Sequence, residues 1–235
     1  MSYAISRRFR APYSVPNGVQ MTPDGLWVVD QITDRVALID PDDPNDYGVT
    51  KLRREIATES SNTSGLTWGA GLLWLAANGA ATIWRTPRAT DAQPGQGEIL
   101  AVDPATGATV ARHPVPGGGG VHGIEYDPFT SDTLWITTLH EQTLTAVNTT
   151  DWSVQRVLPL PYPRAHGVVR VQDGIWIVHT SHRVIVKLDL ATGAELARVE
   201  VPLDQPEPHC LTPDGDKMVY CDASSGWLAT IQGMA

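Results

Sequence analysis

Seven histidines are spread unevenly along this 235-residue chain, and three of them recur at one point of a repeated unit. The five copies of that point read Asn17-Gly18, Ser64-Gly65, His122-Gly123, His166-Gly167 and His209-Cys210. Side chains at one phase of a repeat are carried to one level of a common axis, so the imidazoles of His122, His166 and His209 are expected to converge. Neutral imidazole joined by carboxylate suits Zn, Fe, Mn, Ni or Cu better than Ca or Mg. A divalent transition metal is therefore expected on His122, His166, His209 and Asp222, with positions left open for water or substrate. His179, opposite His166, is a fourth ligand or a base. His140, Tyr162 and Asp30 join it as candidate catalytic groups, Tyr162 as a proton donor or acceptor. His182 falls on the same face, and His113 falls elsewhere. Each residue also has a plainer use. A histidine at a strand start can bond to loop carbonyls, and Asp30 and Asp222 can cap their own turns.

The elements that position these residues repeat with them. Each anchor leads to an apolar strand: LWVVD (26–30), LLWLAA (72–77), LWITT (134–138), IWIVH (175–179) and MVYCD (218–222). The strand ends 13 residues after its anchor in four copies and 16 in the third, where the turn YDPFTSDT (126–133) is longer. Anchors are 47, 58, 44 and 43 residues apart, and the path from His209 through both termini to Asn17 is again 43. Units of this length, each with four short strands and turns such as PDG and ATG, are expected in a β-propeller. The all-β fold class is a five-bladed β-propeller, a single domain over 1–235 closed by pairing of the N-terminal segment YAISRRF with GWLATI. A β-sandwich or a solenoid built from the same hairpins gives no reason for Trp27, Trp74, Trp135 and Trp176 to share a phase, or for the termini to complete a repeat. Those tryptophans are expected to pack between blades.

The second copy carries an insertion, NGAATIWRTPRATDAQPGQ (78–96). Its Trp84, Arg85 and Arg88, with Arg164 just before His166, are the candidate substrate-binding residues for an anionic or aromatic group, and the insertion is a candidate lid. A surface loop that tolerates insertion is the alternative. GGGG (117–120) before His122 permits close backbone approach or loop motion.

Bulk composition excludes some partners. Seventeen Lys and Arg against 26 Asp and Glu give a net charge of −9 without any basic run, so neither nucleic acid nor an anionic membrane surface is an expected partner. The N-terminal residues lack the apolar stretch of a signal peptide, and a cytoplasmic location is expected. Cys210 and Cys221 are expected opposite each other in one hairpin, as reduced thiols.

PNGVQMTPDGLWVVD, AHGVVRVQDGIWIVH and HCLTPDGDKMVYCD resemble the NHL/YncE-like propeller superfamily, and among its enzymes the streptogramin B (virginiamycin B) lyases. The resemblance covers most of the chain. Those lyases combine a histidine–glycine blade start with a DG-[LI]-W second strand, and have a histidine-containing, metal-dependent site on the propeller face. His166 and His179 are the positions that carry over. The lyases have seven blades, and the glutamate of their pattern is replaced here within Ile177-Val178-His179. The resemblance implies a metal-dependent lyase acting on a small-molecule substrate by elimination or ring opening. A metal-dependent hydrolase or lactonase and a non-haem iron oxygenase are the alternatives. Calcium lactonases of related propellers use a Glu/Asn/Asn/Asp set, of which Asn17 and Asp30 supply only part. A binding or scaffold propeller with structural histidines is the non-catalytic reading, and oligomeric state is left open.

Overall fold

Alternating apolar residues, short turns and near-absence of helix-period patterning leave strands as the way to bury this chain. A computed structural model describes residues 3–45 and 47–234. The outermost residues of the expected 1–235 domain, and the first residue of a terminal pairing expected near 2–10, lie outside the described residues. The first strand, β1 (Ala4–Arg10), belongs to the last blade. Blade 1 is β2 (Pro16–Thr22), β3 (Gly25–Asp30), β4 (Arg35–Pro44) and β5 (Thr50–Ala57). Blade 2 is β6 (Thr63–Gly69), β7 (Leu72–Ala77), β8 (Glu98–Val102) and β9 (Thr109–Pro114). Blade 3 is β10 (Val121–Tyr126), β11 (Thr133–Thr138), β12 (Thr143–Asn148) and β13 (Val154–Pro159). Blade 4 is β14 (Ala165–Val171), β15 (Gly174–His179), β16 (Val184–Leu188) and β17 (Glu195–Glu200). Blade 5 runs from β18 (Leu211–Asp214) through β19 (Lys217–Cys221) and β20 (Trp227–Gln232) to β1 at its outer edge. The molecule is a five-bladed propeller.

Ring closure follows the expected pairing, with Ala4 opposite Gln232, Ile5 opposite Ile231 and Arg10 opposite Trp227. Five apolar clusters fill the five boundaries between blades. Trp27 packs at the boundary of blades 1 and 2, Trp74 at 2 and 3, Trp135 at 3 and 4, and Trp176 at 4 and 5. Val219, at the same phase in blade 5, joins Phe9, Val19 and Leu26 at the closing boundary. The period-2 alternation of each second strand thus serves both neighbours: Trp27 and Val29 face blade 2, while Leu26 and Val28 face blade 5.

The register differs in one respect from a plain hairpin. Each strand end faces the residue before the anchor: Asp30 faces Pro16, Ala77 faces Thr63, Thr138 faces Val121 and His179 faces Ala165. The pairing then slips, and the anchor sits in a bulge, a device that re-aims a side chain. In blade 5, Cys221 meets both His209 and Cys210 through backbone hydrogen bonds of 2.9 and 3.2 Å. The glycine that follows the anchor is dictated by the next blade. A Cβ on Gly65 or Gly123 would run into the backbone carbonyl of His122 or His166, respectively.

Candidate functional site

The bulges turn three anchor imidazoles towards one another at one mouth of the channel. The His122 and His166 rings lie 4.1 Å apart between centroids, and those of His166 and His209 lie 5.1 Å apart in an edge-to-face contact. All three residues are buried. Burial, reinforced by Arg164 and His209, pushes the His122 pKa down to about 3. Burial and the neighbouring His122 and His209 push His166 lower still. Burial also lowers His209, although Glu207 and Asp222 act the other way. These imidazoles are neutral at pH 7 and carry lone pairs.

Hydrogen bonds decide where those lone pairs point. The His166 Nδ1–H donates to the Arg164 carbonyl at 2.9 Å, which leaves the Nε2 lone pair free. The His122 Nε2 accepts from the Asn78 amide at 3.0 Å, and the Asn78 Oδ1 in turn accepts from the Val121 N–H. His122 Nδ1 has no partner among the described residues. The group that brings three ligand atoms within 4.8 Å of one another is Glu207, His209 and Asp222, with His209 Nε2 4.0 Å from Glu207 Oε2. The three expected histidines share ring contacts, and of the four expected ligands the ligand-atom group contains His209 and Asp222. Glu207 and Asn78 were missed in the sequence. Each lies just outside the repeat phase, Glu207 two residues before an anchor and Asn78 one residue after a strand end.

His179 belongs to a second group. Its ring meets Tyr162 edge-on at 5.1 Å, and Tyr162 also lies 4.5 Å from His182. Arg198 donates to the Tyr162 hydroxyl at 3.0 Å and is itself held by Glu195. Burial, then His182 and Arg198, lowers the His179 pKa to about 4. Arg164 is exposed, adopts the left-handed backbone region at φ 54°, and has no side-chain partner among the described residues. Its charge bears on all three anchor histidines. His140 is exposed on its loop beside Glu141, and His113 stacks on Trp152 away from this face.

Asp30 and Asp222 cap their turns. Asp30 accepts from the Thr33 N–H and hydroxyl, and Asp222 from the backbone of Ser224 and Ser225. The insertion is built differently from an arginine-bearing lid. Arg85 pairs with buried Asp34 and Asp91, and Arg88 pairs with the same two carboxylates and donates to the Thr58 and Ser60 carbonyls. Trp84 donates its indole N–H to Asn62 at 2.8 Å, and Asn62 also takes a bond from Gln31, which accepts from Asn17. The guanidinium groups of the insertion thus point into the protein, because two desolvated carboxylates demand cations. The insertion ties blades 1 and 2 together, whereas in blade 4 the His166 Nε2 lone pair and both ring nitrogens of His179 have no partner among the described residues.

A buried carboxyl lies further down the channel. Three residues after their anchors, Gln20, Thr67, Glu125 and Thr212 occur on four inner strands. The Thr67 hydroxyl is 2.9 Å from Gln20 Oε1 and 3.2 Å from Glu125 Oε2. One hydroxyl proton cannot serve both acceptors at once; a protonated Glu125 carboxyl would donate to Thr67 and leave the Thr67 proton for Gln20. Burial raises its pKa to about 8.

No family profile matches the chain, and no curated protein sequence matches it. Its structure is similar to glutaminyl cyclase from Myxococcus xanthus, with a TM-score of 0.68 at 9% identity over 98% of this chain and 95% of that one. It is also similar to a catalytically inactive virginiamycin B lyase from Staphylococcus aureus, solved with quinupristin, with a TM-score of 0.54 at 17% identity over 93% of this chain and 66% of that one. The WD40 domain of Neurospora crassa Pan2 gives 0.54 at 8% identity, covering 88% and 56%. The chain thus spans about two thirds of the lyase and just over half of the Pan2 domain. At these identities the likeness is one of fold, which enzymes and a WD40 domain share.

Proposed function

We propose that the chain is a small-molecule enzyme that catalyses an elimination or ring opening at the histidine mouth of its channel. The observation that carries this reading is the set of neutral imidazoles contributed by three successive blades, with the His166 Nε2 lone pair left free. His166 is the base. Its Nε2 removes a proton from a carbon beside a substrate carbonyl, the C–H pair becomes the new double bond, and the β-oxygen leaves with the electrons of its bond. Its Nδ1–H stays on the Arg164 carbonyl, which fixes the tautomer and stabilises the imidazolium that forms. Arg164 binds an anionic group of the substrate.

Glu207, His209 and Asp222 suit a divalent transition metal in donor type and spacing. Asp222 already accepts four hydrogen bonds, so Glu207 and His209 are the freer pair. A metal there would supply a Lewis acid for the substrate carbonyl. The test is metal analysis of protein purified without a tag, with Glu207→Gln and His209→Ala as variants. Stoichiometric zinc, iron, manganese, nickel or copper, lost in both variants with the fold intact, is the expected result. Protein without metal, and without stabilisation by any of these ions, removes the metal and favours a binding propeller.

A further inference from the structure

Position 179 ends the second strand of blade 4, and the same position is Asp30 in blade 1 and Asp222 in blade 5. Both aspartates do the same work. Asp30 accepts from the N–H of Thr33 at 3.0 Å and of Val15 at 3.3 Å, two residues before its anchor. Asp222 accepts from Ser224 at 2.7 Å, Ser225 at 3.2 Å and Glu207 at 3.0 Å, again two residues before its anchor. Each carboxylate ties a turn to the chain that enters the blade. His179 heads the equivalent turn, Thr180–His182, and makes no cap hydrogen bond. Its side chain is fully buried, and neither Nδ1 nor Nε2 has a partner among the described residues.

A histidine here therefore costs stability twice, through the missing cap and through two buried polar atoms left unpaired. Of the four other blades, two place a capping aspartate here and two place Ala77 and a hydrogen-bonded Thr138, so none buries an unpaired polar ring at this position. Groups retained against stability occur at functional sites. We propose that His179 is a ligand-contacting residue which, with Tyr162 against its ring, forms a subsite for an uncharged hydrogen-bonding group of the substrate, an amide or a hydroxyl. A neutral imidazole offers one N–H and one lone pair, and an amide or alcohol offers the complementary pair. A carboxylate has only acceptors and an ammonium only donors, and either is disfavoured by the burial of the site. The proposal rests on the reading of this face as a small-molecule site and narrows the substrate to one that carries such a group.

Thermal melts of wild type, His179→Asp and His179→Ala supply the first test. The aspartate restores the cap of the repeat, so His179→Asp is expected to melt about 2–4 °C above wild type. A His179→Asp protein that melts below wild type, level with His179→Ala or unfolded, shows that the imidazole is packing and overturns the proposal. NMR of histidine-labelled wild type supplies the second test, with acetamide in large excess as the probe. The His179 ring signals are expected to shift while those of His113 stay; unmoved His179 signals overturn the proposal. Neither arm reads metal or turnover. A failed metal assay beside positive results here removes the metal and leaves this subsite standing.

Discussion

At the scale of single residues, the site is a set of groups held in the uncharged form by burial. This has a consequence for stability that differs by residue type. His122 and His179 titrate near 3 and 4 in the folded protein but near 6.5 once unfolded, so below pH 6.5 the unfolded chain binds protons that the native one refuses. Their contribution to stability is present above pH 6.5 and is lost on acidification. Glu125 works in the opposite direction. Its folded value is about 8 and its ordinary value 4.5, so between these limits the native state holds a proton the unfolded chain has released. Stability falls as pH rises through this window. The histidine slope fades only about one pH unit above 6.5, as the last unfolded imidazoles lose their protons, so the glutamate slope prevails above about pH 7.5 and the melting temperature of the wild type is expected to decline from about pH 7.5 to 8.5. Glu125→Gln, which keeps a donor for Thr67, is expected to flatten that decline. Parallel melting curves for variant and wild type over this range contradict the assignment of a protonated Glu125.

At the scale of elements, two local devices shape the mouth. The bulge at each anchor points the anchor side chain into the channel, and the glycine behind it admits the backbone of the next blade. The insertion over 78–96 is a strut: Arg85 and Arg88 hold it to Asp34 beside blade 1. Arg85→Ala leaves the buried Asp34 and Asp91 carboxylates short of a cation, and is expected to destabilise the protein by about 3–5 kcal/mol. Denaturant unfolding measures this. A loss below about 1 kcal/mol, the range of exposed pairs, means that the insertion is loosely attached and free to act as a lid.

At the scale of the molecule, the ring is closed by β1 lying against β20. Phe9 carries much of that closure, being 1% exposed within the cluster that joins blades 5 and 1. Removal of residues 1–10 deletes this side chain and bares the edge of β20. A fall in melting temperature of roughly 10 °C or more is expected, since loss of a buried Phe alone costs about 3–5 kcal/mol. An unchanged melt would count against closure through the termini. The closing boundary also holds Cys210 and Cys221 as free, buried thiols, joined by the backbone bond from Cys221 N–H to the Cys210 carbonyl.

The repeat phase was legible from the sequence because strands alternate faces with period 2 and because every blade solves the same packing problem. Tryptophan at one phase and a 43-residue path through the termini together determined the blade number, the closure and the face that gathers the histidines. Partner choice within that face was decided by tertiary structure. Asp30 and Asp222 turned inward to their own turns, Arg85 and Arg88 to the one carboxylate of Asp34, 51 and 54 residues away, and His179 to Tyr162. A side chain at a known level can rotate towards any of several neighbours, and the choice depends on which polar atoms are buried together and must be satisfied. Spacing along the chain carries no record of that competition. It placed the imidazoles around one axis, and only the packed protein determined which nitrogens were left with a lone pair to offer.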